Sequence, residues 1–333
     1  MSYALLLMSS VMGGLPSRIN VVPLPDLGST DLVPTMSVAE AALVCMRPSI
    51  AKFLGLEPAA RLGADPEAIH DMRVAARRIR TALRVFRGAV PAGADELRAE
   101  IKWAGTLLGD VRDLDVQRLP LVQVLEDLAA EERAVVHALD DVLAERRAAA
   151  HARLLDGLDS PRFHRVRTEV VALGRGPSAL PDQVSRPIAA VAPFMVRKPY
   201  RSLRRAGKRL GSESPSAELH ALRLKCKRAR YALEFVSPLY DDAADALIAR
   251  LVRLQDLLGD LHDAEVATHR WNDFANGSHG ALPEGSAFVL GRLAERSWAV
   301  ARKMRRQFPK RFRAIRGRRW KELKRAMDAR AAV

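Results

Sequence analysis

The sequence predicts an all-α protein built from two similar helical bundles that face one another. Apolar residues recur at helical spacing along most of the chain, while strand-like alternation is scarce. Two motifs are each written twice at one offset. His70-x-x-Arg73-x-x-x-Arg77-x-x-Arg80 returns 150 positions later as His220-x-x-Arg223-x-x-x-Lys227-x-x-Arg230. Leu107-Leu108-Gly109-Asp110-x-x-Asp113-x-x-Val116 returns as Leu257-Leu258-Gly259-Asp260-x-x-Asp263-x-x-Val266. The offset holds without a gap and reaches back weakly through Arg47 and Arg197, so the chain reads as a duplicated unit. Between the copies, a run of Gly and Pro from Gly157 to Pro199 supplies the breakers that separate them.

Taken in order, residues 1–36 contain the apolar stretch Ala4 to Met12, ended by Gly13, Gly14 and Pro16. No positive segment precedes it and it is too short to span a bilayer, so 1–36 reads as a flexible extension and no membrane partner is expected. The first unit covers 37–157. Ser37 opens its first helix, and Asp65-Pro66-Glu67 opens the next with a cap, a Pro at the first helical position and an acid in the first turn. At about 100° per residue, His70, Arg73, Arg77, Arg80, Arg84 and Arg87 share one face of that helix. Met72, Ile79, Ala82, Leu83 and Phe86 occupy the opposite face, which is the core side. Pro91 and Pro120 read as stops or bends.

Residues 158–186 form the junction, and the second unit covers 187–333. Its starts and stops repeat at Ser214-Pro215 and Pro238. His220, Arg223, Lys227 and Arg230 lie opposite Leu222, Cys226, Ala229, Leu233 and Val236. Glu234 breaks the sign where Arg84 stands in the first copy. The unit ends in a basic helix, with thirteen Lys or Arg in residues 302–325 against Glu322 alone.

Cations stacked along one helix face repel one another by a few tenths of a kcal/mol per pair, whereas an ordinary solvated face alternates Glu with Lys. Such a face suits an anion. Histidine leads it in both copies, and an imidazole beside arginines donates hydrogen bonds to phosphate and gains charge near neutral pH. The competing reading is a solvated face with structural histidines. A net charge of +15 points to polyanions: nucleic acid, polyphosphate or an anionic membrane surface. Residues 197–230 hold twelve Lys or Arg against Glu213 and Glu218, which adds Arg204, Arg205 and Lys208 to the candidate contacts. Aromatic residues make up only 5% of the chain and few interleave with the basic stripes, which argues against recognition of single strands by base stacking. Cys45 and Cys226 have neither metal spacing nor a disulfide framework, and fit a reducing, cytoplasmic setting.

Asp110 and Asp113, like Asp260 and Asp263, share one helical face. They serve either as structural carboxylates that orient stripe arginines or as hard ligands for Mg²⁺ or Mn²⁺. The first reading is preferred, because no further His/Asp set recurs with them. His70-Asp71 and His262-Asp263 raise a metal-dependent phosphohydrolase, but Asp71 corresponds to Ala221 and His262 to Arg112, so neither pair survives the duplication. No Walker-type glycine loop, nucleophile elbow or Glu-x-Glu-x-Lys motif is present. No catalytic residue, metal or cofactor is expected.

The segments His70 to Arg80, Leu107 to Val116, His220 to Tyr231 and Leu257 to Val266 resemble the CHAD family, a helical domain named for its histidines. The resemblance runs from about Ser37 to near the C-terminus. It implies two four-helix bundles related by pseudo-twofold symmetry around a basic central cavity that binds inorganic polyphosphate, and targeting to polyphosphate granules. The triphosphate-tunnel domain often attached in this family has no room in residues 1–36. His262 and Glu234 depart from the pattern, so the second face is expected to be the weaker one. The expected function is non-enzymatic polyphosphate binding through His70, Arg73, Arg77, Arg80, Arg84, Arg204, Arg205, Lys208, His220, Arg223, Lys227 and Arg230. The alternative is a nucleic-acid-associated protein that uses the 302–325 segment, with the phosphohydrolase third.

Overall fold

The structure, a computed structural model, describes residues 25–124, 128, 130–176, 186–276 and 286–330. The helices are α1 (Val38–Gly55), α2 (Glu57–Leu62), α3 (Pro66–Val85), α4 (Ala94–Val124), α5 (Ala130–Asp159), α6 (Pro161–Arg175), α7 (Ile188–Gly207), α8 (Ser216–Val236), α9 (Asp241–Ala275), α10 (Ser286–Ala314) and α11 (Arg318–Arg330). A 3₁₀ turn, Ser237–Leu239, carries Pro238 between α8 and α9. Among the described residues there is no strand, only an isolated antiparallel bridge between Ser37 and Pro187.

Local chemistry sets the helix starts. Ser37 and Glu40 cap α1 reciprocally, the Ser37 hydroxyl accepting from the Glu40 N–H and the Glu40 carboxylate from the Ser37 N–H. The Asp65 carboxylate accepts from the Glu67 N–H, with Pro66 filling a position that needs no donor. The predicted core faces are buried: Met72, Ile79, Ala82, Leu83 and Phe86 on α3, and Leu222, Cys226, Ala229, Leu233 and Val236 on α8.

The order of packing recurs in the two halves. In the first, α1 packs on α3, α3 on α4 and α4 on α5, with α6 laid across α1 and α4. In the second, α7 packs on α8, α8 on α9 and α9 on α10, with α11 laid across α7 and α9. One main core runs through both halves, and a satellite core joins the far ends of α4 and α5 to those of α9 and α10, around Leu139, Trp271, Phe274 and Leu290. Ser37 pairs with Pro187, the residue one repeat offset further along the chain. The halves also touch where α3 crosses α8 and where α5 meets α10.

Several boundaries differ from the sequence reading. Residues 1–24 of the expected extension lie outside the described residues, but the rest of it is docked. Leu27 is buried in the main core, Ser29 O accepts from Arg47 Nη1 at 2.6 Å, and Met36 O accepts from the Ile188 N–H at 2.7 Å. The junction at 158–186 contains α6, which packs on the first bundle. Pro120 does not stop α4, and Pro193 and Pro199 sit inside α7. A proline in a helix interior costs about 3 kcal/mol, and the burial of long amphipathic faces outweighs that here. The basic 302–325 segment spans a break, forming the end of α10 and most of α11 instead of one helix.

Candidate functional site

The two histidine-led stripes face one another. Burial pushes Lys227 on α8 down to about 8, and after burial its largest perturbers are Arg77, Arg223, Arg73 and Arg230, so cations of α3 and α8 share one space. The C-terminal parts of α3 and α8 close that space on one side. There Glu234 accepts from Arg78 Nη1 of α3 at 2.7 Å and from Arg230 Nη1 at 2.9 Å, and Phe86 and Phe235 meet with ring centroids 5.9 Å apart. The residue that breaks the sign of the second stripe is therefore the clamp between the halves. Arg230 also donates through Nε to Gln255 at 3.0 Å, so its guanidinium is largely committed to the protein.

The helices that carry the Leu-Leu-Gly-Asp motifs form the walls. Leu108 and Leu258 are buried, and Gly109 lets Arg73 lie flat against α4, because a Cβ at Gly109 would stand 3.3 Å from Arg73 Nε. Gly259 stands in the same relation to Arg223, at 3.6 Å. Arg73 Nη1 reaches Asp113 Oδ1 at 3.0 Å. Asp110 and Asp260 are exposed; burial and the like charges of Asp256 and Asp263 push Asp260 up from the usual carboxylate range. Asp263 instead acts on Arg270, whose guanidinium burial pushes down from its ordinary range while Asp113 and Asp263 oppose that shift from the two halves.

Two further well-buried ion pairs lie two residues beyond Asp113 and Asp263. Asp115 accepts from Arg147 Nε of α5 at 2.5 Å, and its counterpart Glu265 from Arg305 of α10 at 2.6 Å. These pairs staple the fourth helix of each half to the wall, and nothing in the spacing of the motifs foretold them.

At the open end of the stripes the two copies differ. His70 stands beside Arg112, which pairs with Glu67 at 3.1 Å. Burial, then the Arg112 charge, pushes the His70 imidazole below the usual range. In the second copy His262 takes the place of Arg112, its ring 4.5 Å from that of His220, and burial followed by His220 and Arg223 pushes it down. Arg84 is exposed in the last turn of α3.

Five buried nitrogens on or beside the stripes find no hydrogen-bond partner among the described residues: Nε of Arg77, Arg80, Arg112 and Arg223, and Nδ1 of His220. An unsatisfied buried donor costs roughly 1–3 kcal/mol, and these come from both halves, on α3, α4 and α8. Burial and the neighbouring Arg98 and Arg77 also push Arg80 down. Among the described residues no group of three or more His, Cys, Asp or Glu is gathered as a metal ion requires, and no helix is long and apolar enough to cross a membrane.

The structure does not bring Arg204, Arg205 and Lys208 to this space. They line a groove on the outer face of α7 with Trp320 and Lys324.

A basic, all-helical domain with two opposed arginine stripes is what the fold and the site define. The CHAD domain family model matches residues 45–272, more than half of the chain, and the chain belongs to the CHAD domain family. The CHAD domain from the plant Ricinus communis is similar in structure, with a TM-score of 0.64 at 24% identity over 95% of this chain and 98% of that one. PptA from Streptomyces chartreusis gives a TM-score of 0.67 at 21% identity over 84% of this chain and 100% of that one. Among curated proteins no relative matches.

Proposed function

We propose that the protein binds inorganic polyphosphate between the two stripes, without turnover, and that this binding places it at polyphosphate granules. The carrying observation is that the cations of α3 and α8 act together on Lys227 in one space, on helices whose Arg and His residues include buried nitrogens with no partner among the described residues. A fold that keeps uncompensated guanidinium groups in one place gains from a ligand that is a string of negative charges, and bidentate Arg–phosphate contacts give the strongest such bonds. The family resemblance points to the same ligand. Binding without chemistry rests on the repeat register, in which neither His-Asp pair has a counterpart.

Lys227 supplies a test by pH. In the free protein its ammonium is held down to about 8 by burial and by Arg77, Arg223, Arg73 and Arg230. A bound phosphate favours the protonated form, so complex formation takes up a proton and affinity falls as pH rises through about 8. Isotherms for long-chain polyphosphate at about pH 7 and about pH 9, at one ionic strength, should show the loss, and Lys227→Met should abolish that alkaline limb. Equal pH dependence in both proteins would remove Lys227 from the site.

Gly109→Ala offers a separation of stability from binding. Ala is favoured over Gly in a helix interior by about 1 kcal/mol, so the melting temperature should hold or rise. The new methyl displaces the Arg73 guanidinium, so polyphosphate affinity should fall several-fold in the same protein. Unchanged affinity would show that Arg73 does not touch the ligand.

A further inference from the structure

Three grooves run along the outer face of α7, away from the stripes. The first, of about 730 Å³, lies between α7 and α8 and is lined by Phe194, Arg197, Arg201, Arg205 and Lys225, among others. It shares Arg197, Arg201 and Arg205 with a second groove, where Trp320 joins, and the second shares Arg204 and Trp320 with a third that reaches Arg313 of α10 and Arg316 in the turn after it. Together they form one continuous valley in which every charged lining residue is Arg or Lys. Lys225 lies about 160–200° around α8 from Arg223 and Lys227, so the valley and the stripes occupy opposite sides of that helix.

Two features separate the valley from the duplicated site. The first is its absence from the other copy. At the repeat offset Arg201, Arg204, Arg205, Lys208 and Arg209 correspond to Ala51, Leu54, Gly55, Pro58 and Ala59. A charge set present in one half alone has no part in a site made by both. The second is aromatic. Phe194 is 69% exposed at the mouth of the first groove, whereas its counterpart Val44 is 5% exposed. Trp320 is held from one side by Tyr200, stacked at 3.7 Å, and lines both the second and third grooves. The rings near the stripes, Phe86, Tyr231 and Phe235, are buried, and none offers an exposed face as Phe194 does.

We infer that this valley is a second binding site, for single-stranded nucleic acid. The chemistry is the combination of a cationic groove that follows a phosphate chain with aromatic faces on which successive bases stack. Polyphosphate has no face to stack, and a bilayer surface cannot enter a concave groove. A rigid duplex hides its bases from Phe194 and Trp320. Of the basic 302–325 segment, Arg305 is occupied by Glu265, Ser212, Ser214 and Ser216, and Arg318 and Arg319 by Glu322, while Arg313, Arg316, Lys321 and Lys324 line the valley. This inference stands apart from the polyphosphate reading.

The test is fluorescence anisotropy of the full-length protein with a labelled DNA strand of about 16 nucleotides, beside polyphosphate and phosphatidylserine vesicles. Arg201→Glu plus Arg205→Glu, both at exposed positions, should weaken DNA binding by at least tenfold and leave polyphosphate affinity within about twofold. Phe194→Ala removes an exposed ring and should weaken DNA binding by roughly fivefold while leaving polyphosphate unaffected. Arg77→Met plus Arg223→Met, in the stripes, should leave the DNA isotherm in place. The inference is overturned if DNA affinity survives the charge reversal or Phe194→Ala has no effect on it. It is equally overturned if the stripe variant loses DNA, or if vesicles bind through these residues while DNA does not.

Discussion

Arg77→Met plus Arg223→Met is expected to lower polyphosphate affinity by two orders of magnitude or more while making the free protein more stable. Each arginine keeps a buried Nε with no partner among the described residues, and each sits within the cationic set that depresses Lys227. A charged hydrogen bond contributes about 1.5–3 kcal/mol, so loss of one from each stripe costs at least a hundredfold. Methionine retains an aliphatic stem of similar reach, and so preserves packing while removing charge. Without ligand, relief of the unsatisfied donors and of like-charge repulsion should raise the melting temperature. Thermal melts with and without polyphosphate read both effects at once. The wild type should gain stability on ligand addition and the variant should not. A variant that melts below wild type yet binds as tightly would mean that these arginines serve the fold.

Glu234→Gln carries the largest expected loss of stability. The carboxylate joins Arg78 of the first half to Arg230 of the second, and its side chain is only 14% exposed. Removal of one partner from a buried pair costs roughly 3–5 kcal/mol. Arg78 is 34% exposed, so water relieves part of that cost and about 2–3 kcal/mol is the expectation. The melting temperature should drop by several degrees. Polyphosphate should bind more tightly to the same variant, since a negative charge leaves the stripe and Arg230 is freed. A variant with wild-type melting would show that the clamp contributes nothing.

The stripes were legible because their spacing alone fixes a helix face, and the buried sides of α3 and α8 followed from the same wheel. Periodicity says nothing of what stands across from that face, which is why Glu234 reads as an interruption in sequence and as a clamp in space: its partner Arg78 lies 156 positions away. The glycine of Leu-Leu-Gly-Asp had no role until Arg73 was seen lying on it. Arg204, Arg205 and Lys208 were grouped with the stripes by charge density along the chain, a count that ignores direction around α7. The valley itself was missed for the same reason: Phe194 lies one turn from Arg197 but its outward direction is not read from spacing, and Trp320 meets the α7 arginines only after α11 folds across α7. Pro120 and Pro193 show that breaker residues locate helix ends poorly where long amphipathic faces are buried.

Diffraction from crystals grown with long-chain polyphosphate tests the central claim most directly. Phosphate density should run between α3 and α8, with oxygens within hydrogen-bonding distance of Arg77, Arg223 and Lys227 and of Nδ1 or Nε2 of His220. Density confined to the outer face of α7, with the space between the stripes holding only water, would contradict it.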